Sequence, residues 1–220
     1  MHFEDQPSRP IRRNGDQARE RILDAAEKLF ALQGYHGTSM REIATEAGMR
    51  VALVTHHFQS KELLLARVVE RRAIHLNATR IEGLDMARRE VRGEAIPIRV
   101  IAQAFVWPFL ERWSNGGAGW KYYVELIARL ANSTQREVIT QYFDAVARLY
   151  LDELEKTLVG RDRTGIYYGF NFMVGMMLTV VSQPDRVHNL SFGKISANDA
   201  KAVCRMMVDF IEYGFRSISD

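Results

Sequence analysis

Apolar residues recur every three or four positions along most of the chain, which is the spacing of one face of an α-helix. No segment keeps the strict alternation of apolar and polar residues that a half-buried strand requires. Together with glycine, proline and capping signals, this pattern predicts an all-α fold of about nine helices. The predicted helices cover about residues 16–33, 39–47, 51–57, 60–89, 98–113, 120–131, 134–158, 163–182 and 196–216.

The segment 38–61 has the pattern of a helix-turn-helix. Ser39 is followed three residues later by Glu42, which is the spacing of a capping box at a helix start. Gly48 lies where that helix must end, because glycine accepts the left-handed conformation of C-terminal caps. A short helix from Val51 to His57 follows at once. Helix, glycine turn and helix is the sequence form of a helix-turn-helix.

The second helix of this pair has an unusual outer face. If Met49, Val54 and Phe58 point to the core, small apolar and hydroxyl-bearing side chains remain exposed. Such side chains suit the major groove of DNA, where thymine methyl groups, base edges and phosphates are met. Packing of Val51 and Leu53 inside a small helical domain remains open as the alternative.

This stretch resembles the DNA-binding domain of the tetracycline-repressor (TetR) family of regulators. The resemblance covers about 50 residues. Its motifs read Gly34-Tyr35, Thr38-Ser39, Ile43-Ala44, Ala47-Gly48-Met49-Arg50, Thr55-His56-His57-Phe58 and Ser60-Lys61-Glu62. Two positions depart from the family pattern, because Arg50 replaces the usual serine after the turn and Thr55 replaces the usual tyrosine.

Two prolines, a glycine and three arginines in residues 1–15 predict a flexible basic arm. The resemblance implies a three-helix DNA-binding domain over 16–61 and a larger helical domain over 62–220 for ligand sensing and dimerisation. We expect phosphate contacts from Thr38, Ser39 and Lys61. The expected recognition-helix set is Arg50, Val51, Ala52, Leu53, Thr55, His56 and His57.

A ligand pocket in the C-terminal part follows from the resemblance more than from single residues. Aromatic and methionine side chains are dense there, and each one alone is more simply a core residue. Together they can form an adaptable apolar cavity for a small apolar or amphipathic molecule. The expected lining is His75, Phe105, Trp107, Trp113, Tyr123, Glu125, Arg129, Tyr168, Asn171, Phe172 and Met176.

The last two predicted long helices carry the argument for a dimer. The apolar run 166–181 is shorter than the ~20 residues that a membrane span needs, so we predict a buried helix and no membrane. A helix that is apolar nearly all round is buried on all sides. The resemblance implies a four-helix bundle across a two-fold axis. Its expected residues are Phe172, Gly175, Leu178, Thr179, Val203, Met207, Phe210 and Ile211.

Composition and motif searches narrow the function further. The net charge of +3 is compatible with nucleic acid but does not indicate it alone. The single cysteine excludes an internal disulfide and fits a reducing compartment. The chain contains no phosphate-binding glycine loop, no zinc-type cysteine pair and no His-Glu-x-x-His motif. Adjacent His56 and His57 point about 100° apart on a helix and cannot readily share one metal ion.

We therefore predict a homodimeric, cytoplasmic transcriptional regulator without cofactor or bound metal. The favoured function is a repressor that a small-molecule effector releases from a palindromic operator. A transcriptional activator and a nucleoid-type DNA-binding protein remain alternatives, as does a helical adaptor for other proteins. An all-α enzyme for small molecules ranks last, because no titratable residues are clustered in the sequence.

Overall fold

The computed structural model describes residues 11–195 and 199–218, with side chains from residue 15 onward. Within these ranges the backbone forms ten α-helices and no β-strand, and the all-α prediction is confirmed. The chain divides into two compact units, Met1–Val68 and Val69–Asp220, which we call the N-terminal unit and the C-terminal unit. The helices are α1 (Ile11–Gln33), α2 (Met40–Glu46), α3 (Val51–His57), α4 (Lys61–Glu90), α5 (Ile98–Asn115), α6 (Gly117–Ala131), α7 (Glu137–Thr157), α8 (Arg163–Ser182), α9 (Arg186–Leu190) and α10 (Ala200–Arg216).

The core of the N-terminal unit is formed by the apolar faces of α1, α2 and α3. Ile22 and Phe30 of α1, Ile43 of α2 and Val54 of α3 are fully buried. Helices α2 and α3 have only 7 residues each, and helices that short are not stable alone in water. They are held by burial, which contributes about 1.5–3 kcal/mol for each large apolar side chain.

The C-terminal unit packs its helices around α5, which contacts α6, α7, α8 and α10. Buried residues of α5 include Ile101, Phe105 and Phe109. Pro108 lies inside α5 and removes one helix hydrogen bond. The helix nevertheless continues to Asn115, two residues beyond its predicted end.

Helix α8 is long and apolar enough to cross a membrane, judged by length and composition alone. The expectation that this run is too short for a span is therefore wrong, because the helix has 20 residues. One face of α8 is buried against neighbouring helices of the C-terminal unit. Only 28% of the apolar window of α8 is buried within the chain, so the helix is not a fully buried core helix as predicted, and its opposite face is exposed.

The first helix begins earlier than the sequence pattern predicts. Helix α1 starts at Ile11, whereas the prediction placed the start at Asp16 and a flexible arm before it. Arg12 and Arg13 are good helix formers, and they outweigh the single glycine that follows. The remainder of the predicted arm, residues 1–10, lies outside the described residues.

Two further local predictions are wrong. Thr134 does not cap α7, which begins at Glu137 after a turn. The hydroxyl of Ser133 accepts the hydrogen bond that shapes this turn, from the backbone N–H of Gln135 at 3.1 Å. The loop predicted after α8 contains the extra helix Arg186–Leu190, whose 5 residues are too few to show a helical period.

Candidate nucleic-acid interface

The turn between α2 and α3 is fixed by local caps and by α1. The Ser39 hydroxyl accepts from the backbone N–H of Glu42 at 3.2 Å, and the Glu42 carboxylate accepts from the N–H of Ser39 at 2.7 Å. These bonds with Ser39 lower the pKa of Glu42. Gly48 has a φ of +65°, a conformation that favours glycine. Arg21 of α1 donates to the carbonyl of Ala47 and links the turn to α1. The predicted capping box and glycine turn are both confirmed.

Helix α3 presents most of its side chains to solvent. Val54 and Phe58 are buried, whereas Val51 and Leu53 are 41% and 40% exposed. The alternative that Val51 and Leu53 pack inside the domain is therefore wrong. The other exposed residues of this face are Arg50, Ala52, Thr55 and His56, with His57 half-buried.

Thr38 does not lie where its hydroxyl can reach a phosphate. Its side chain is 2% exposed. The hydroxyl donates to the end of α1, with the carbonyl oxygens of Gly34 and Leu29 at 2.9 and 3.2 Å. The expected phosphate contact of Thr38 is therefore wrong, because two carbonyl groups of the final turns of α1 occupy its one donor. Ser39, the next residue, remains exposed.

Lys61 links the start of α4 to the chain between α1 and α2. Its ammonium group donates to the carbonyl oxygens of Tyr35 and Thr38, both at 3.0 Å, and lies 4.2 Å from the centroid of the Tyr35 ring. The Tyr35 hydroxyl in turn donates to the Glu62 carboxylate. Burial and this hydrogen bond raise the pKa of Tyr35 to about 12. An ammonium group has three N–H donors, so one remains for a ligand.

Helix α3 itself carries no negatively charged side chain. Residues 50–61 contain no aspartate or glutamate. The side chain of Arg50 forms no hydrogen bond or ion pair within the part of the chain that the structure describes. Arg41, exposed in the first turn of α2, is a further cation that the sequence analysis missed. Its position beside the capping box at a helix N-terminus was the available signal.

The residues predicted to line a ligand pocket do not come together. Phe105 and Tyr123 are buried in the C-terminal unit, and the Tyr123 hydroxyl donates to the Val69 carbonyl at 3.0 Å. Trp107, Trp113 and Glu125 are half-buried. Tyr168, Phe172 and Met176 instead line an open groove of about 450 Å³ between α8 and α10.

The prediction that three polar residues point into an interior pocket is wrong. His75, Arg129 and Asn171 are all exposed. Neighbouring residues on a helix are rotated by about 100°. His75 and Asn171 lie one step of rotation from buried Leu76 and Phe170, on the exposed side of their helices. The charged side chain that is buried on α4 in this unit is Arg80, which was not among the predicted residues.

An exposed apolar stripe runs along α8 and α10, which pack against each other. Of the predicted dimer residues, Phe172, Gly175, Thr179 and Phe210 are exposed, and Leu178 and Val203 are half-buried. Met207 and Ile211 are buried within the unit, 7% and 3% exposed, so their assignment to the interface is wrong. The apolar residues of α10 form two stripes, and the outer one consists of Met206, Phe210 and Tyr213.

The described residues contain no group of three or more histidine, cysteine, aspartate or glutamate side chains that could hold a metal ion. The rings of His56 and His57 lie 5.7 Å apart at an interplanar angle of 73°.

Two family models match the chain. The model described as "Bacterial regulatory proteins, tetR family" matches residues 22–68, which contain the helix-turn-helix. The model described as "Tetracyclin repressor-like, C-terminal domain" matches residues 103–214, more than half of the chain. This chain belongs to the tetR family. Regulators of the tetR family bind DNA and small-molecule effectors and act as dimers. The prediction of a DNA-binding regulator rather than an enzyme is confirmed.

Relatives of known description include both an activator and a repressor of the helix-turn-helix type. The transcriptional activator FasR of Mycolicibacterium smegmatis is 33% identical over 101 residues, which are 46% of this chain and 44% of FasR. The transcriptional repressor KstR2 of the same species is 37% identical over 65 residues, 30% of this chain and 29% of KstR2. The matched stretches thus span less than half the length of these relatives.

Solved structures of regulators share the fold over nearly the whole chain. The ketosteroid transcriptional regulator KstR2 of Mycobacterium tuberculosis has a TM-score of 0.61 at 18% identity, covering 92% of this chain and 95% of that one. The fatty acid degradation regulator FadR of Bacillus halodurans has a TM-score of 0.60 at 16% identity, covering 96% and 99%. At such low identities the likeness concerns the fold alone.

Proposed function

We propose that this tetR-family chain is a cytoplasmic, homodimeric repressor that binds a palindromic operator and is released from it by a small apolar or amphipathic ligand. The observation that carries the proposal is the exposed surface of α3, which is free of carboxylates and bordered by cations. Regulators of this kind place the second helix of the motif in the major groove.

The DNA contacts divide into two groups. Phosphates are met by Ser39, by Arg50 and by the third N–H of Lys61, at the N-terminal ends of α2, α3 and α4. Base edges and thymine methyl groups are met by the exposed face of α3, which comprises Val51, Ala52, Leu53, Thr55, His56 and His57. The Thr55 hydroxyl donates to the Val51 carbonyl at 3.0 Å, so it serves DNA as an acceptor.

A homodimer is supported by the exposed apolar side chains of α8 and α10. Phe172 is 62% exposed and Phe210 is 70% exposed. Contiguous apolar surface of this kind marks an interaction site on a soluble protein. A two-fold axis through this surface pairs identical patches, and the two copies of α3 then read half-sites ~34–36 Å apart.

Release by a ligand follows from a shift between two conformations. Helix α4 is continuous from Lys61, beside the helix-turn-helix, to Glu90 in the C-terminal unit. A ligand that prefers a conformation with α4 displaced lowers DNA affinity by the ratio of its affinities for the two states, and by no more than that.

The test is selection of DNA from a random pool, followed by titration of the selected site at two salt concentrations. We expect a palindrome, and an affinity that falls steeply with salt because several phosphates are neutralised. Arg50→Ala weakens binding, uniformly across sequences if Arg50 meets a phosphate and at one base position if it reads a guanine. Arg129→Ala removes an exposed arginine of the C-terminal unit and serves as the control.

Failure to enrich any sequence, with negligible affinity at low salt, would overturn the proposed binding to a palindromic operator and favour a helical adaptor. Enrichment of many unrelated sites would indicate a nucleoid-type protein instead. An activator is the second candidate, because the relative FasR bears that description. A reporter gene behind the selected palindrome distinguishes a repressor from an activator. Deleting the regulator raises reporter expression if the protein is a repressor and lowers it if the protein is an activator.

A further inference from the structure

Arg80 lies in the middle of the buried stripe of α4. Its side chain is 3% exposed. The other residues of the stripe, Ala73, Leu76, Leu84 and Ala87, are buried and apolar. Their spacing of three or four residues is that of one helix face, so a guanidinium occupies a position where the pattern calls for an apolar side chain.

The Arg80 guanidinium has few polar partners. Its Nε donates to the Phe105 carbonyl oxygen at 3.0 Å, and its Nη2 lies 3.6 Å from Sδ of Met177, a weak acceptor. Its Cζ lies 3.8 Å from the centroid of the Phe105 ring and 6.0 Å from that of Phe143. Among residues 11–195 and 199–218, no carboxylate pairs with Arg80, and its Nη1 forms no hydrogen bond.

A cation in this position is unfavourable for the ligand-free protein. Transfer of an unpaired ion from water to an apolar interior costs much free energy. This burial lowers the pKa of Arg80 to about 10. Attraction to the Phe105 ring offsets only part of the cost. An apolar side chain of similar volume would avoid this free-energy cost, since replacing buried ions by such residues is often stabilising.

The groups around Arg80 define what kind of counter-ion could enter. The Tyr150 hydroxyl donates to the Arg80 carbonyl at 2.8 Å, and the Tyr123 hydroxyl donates to the backbone as well. The ring of Phe105 packs edge-on against those of Tyr150 and Phe170, at 5.0 and 5.1 Å. One positive charge between aromatic walls suits a single negative charge on an apolar body, and a polyanion would leave charges unpaired.

A second polar atom on the same helix also lacks a partner. Asn77 lies three residues before Arg80, and such residues are neighbours on one helix face. Its Nδ2 donates to the Tyr142 carbonyl at 2.6 Å, whereas its Oδ1 is buried without a hydrogen bond. A packed core rarely leaves such a group unpaired, so this part of α4 has the character of a binding surface.

We propose that Arg80 binds the carboxylate of the effector, and that the effector is therefore a monocarboxylic acid with an apolar body. The assignment rests on the proposed effector-released function. Because Arg80 is buried, a carboxylate reaches it only when α4 separates from α5 or α8. Ligand binding therefore selects a conformation with α4 displaced, as the proposed release mechanism requires.

The test compares carboxylates with their uncharged primary amides on the full-length protein. The probes are hexanoate, decanoate, hexadecanoate, phenylacetate and cholate, each beside its amide, measured by calorimetry and thermal shift. We expect at least one carboxylate to bind the wild type at least tenfold more tightly than its amide. Arg80→Met should remove this preference and Arg80→Lys should keep part of it. Arg129→Met, which removes an exposed arginine, should leave the preference unchanged.

Three results would overturn the proposal: no carboxylate binds, the amide binds as tightly as the acid, or Arg80→Met retains the preference while folded. Circular dichroism and operator affinity establish the folding of each variant, and Arg80→Lys decides the matter if Arg80→Met does not fold. Operator binding by ligand-free wild type tests the proposed function separately. If an uncharged compound releases DNA independently of Arg80, the repressor proposal stands and the carboxylate proposal fails.

Discussion

The ammonium nitrogen of Lys61 lies 3.0 Å from the carbonyl oxygen of Thr38. Thr38 itself is bound through its hydroxyl to the end of α1, and it immediately precedes Ser39, the cap of α2. The Lys61–Thr38 pair therefore joins the ends of three helices in the N-terminal unit. The position of α2, and of the turn that follows it, depends on this junction as well as on the apolar core.

Lys61→Met should lower the free energy of unfolding by about 1–2 kcal/mol. The variant keeps the length of the side chain but loses two charge-assisted hydrogen bonds to carbonyl groups. Urea titration of the whole chain measures the change. Lys121→Met, which removes an exposed lysine of α6, should cost less than about 0.5 kcal/mol. Equal losses in the two variants would contradict the junction described for Lys61.

Thr38→Val should lower the free energy of unfolding by about 1 kcal/mol without changing the operator affinity of the folded protein. Valine keeps the shape of threonine but leaves two carbonyl groups at the end of α1 without their donor. Thr38→Ser retains the hydroxyl and should keep most of this hydrogen bonding. A tenfold loss of operator affinity in Thr38→Val, at concentrations where it is folded, would show that the hydroxyl reaches DNA after all.

The acidic side chain Glu153 should make stability depend on pH. It is 4% exposed and accepts from Arg88 and Lys156 at 2.9 and 2.8 Å. Burial opposes its ionisation, but these hydrogen bonds outweigh burial and lower the pKa of Glu153. A lowered carboxyl pKa stabilises the fold above the unfolded-state value of ~4.3, and the contribution is lost as pH falls through the folded value.

Glu153→Gln should therefore cost about 1–2 kcal/mol at pH 7, because Arg88 loses a charged partner. As pH falls below the unfolded-state value of ~4.3 and through the lowered pKa of folded Glu153, the difference between variant and wild type should shrink, because Glu153 becomes neutral in both states. Urea titrations at pH steps from 7 to about 3.5 measure this. A difference that stays constant over the whole range would mean that the Glu153 charge does not contribute.

Phe210→Asp should convert the proposed dimer into a folded monomer. Each two-fold interface contains this position twice, and losing a central aromatic residue costs about 2–4 kcal/mol. Light scattering after size-exclusion chromatography measures the mass. Phe192→Asp is the matched control, because Phe192 is 92% exposed but lies outside the stripe of α8 and α10. Dissociation of both variants, or of neither, would locate the interface elsewhere.

A carboxylate built into the chain beside Arg80 should behave as a permanent partner. The carboxyl carbon of Met177→Glu would occupy roughly the position of Sδ, which lies 3.6 Å from Nη2. With Arg80 present, Met177→Glu should be more stable than Met177→Gln by about 1–3 kcal/mol. In the Arg80→Met background the order should reverse, because the carboxylate is then buried and unpaired. A double-mutant cycle with no coupling would contradict the buried charge at Arg80.

The helix-turn-helix could be predicted closely because its signals are local. The capping box of Ser39 and Glu42 and the positive φ of Gly48 depend on neighbouring residues, and both are present. The same spacing at Thr134 and Glu137 predicted a helix cap that is not formed, because the hydroxyl of Ser133 accepts from the N–H of Gln135 in a turn instead. A motif of two residues thus predicts a helix start only when no competing hydroxyl lies beside it.

The interior of the C-terminal unit could not be predicted in the same way, because burial there depends on how helices rotate against each other. His75 and Asn171 have side chains that could orient a ligand, yet each is one step of rotation away from the buried stripe. Arg80 carried a usable signal, since it interrupts the apolar spacing from Ala73 to Ala87. The apolar spacing of α10 likewise does not separate its buried stripe from its exposed one, so the interface prediction for Met207 and Ile211 is wrong.

The chain contains a single cysteine, Cys204, which is 5% exposed and whose pKa is raised by burial. A thiol in that environment reacts slowly, because the thiolate is the reactive form. A cysteine introduced at an exposed position can therefore be spin-labelled selectively, without prior removal of Cys204. With Gln59→Cys, two residues after the end of α3, pulsed electron resonance would measure the label-to-label distance in the proposed dimer, with and without effector.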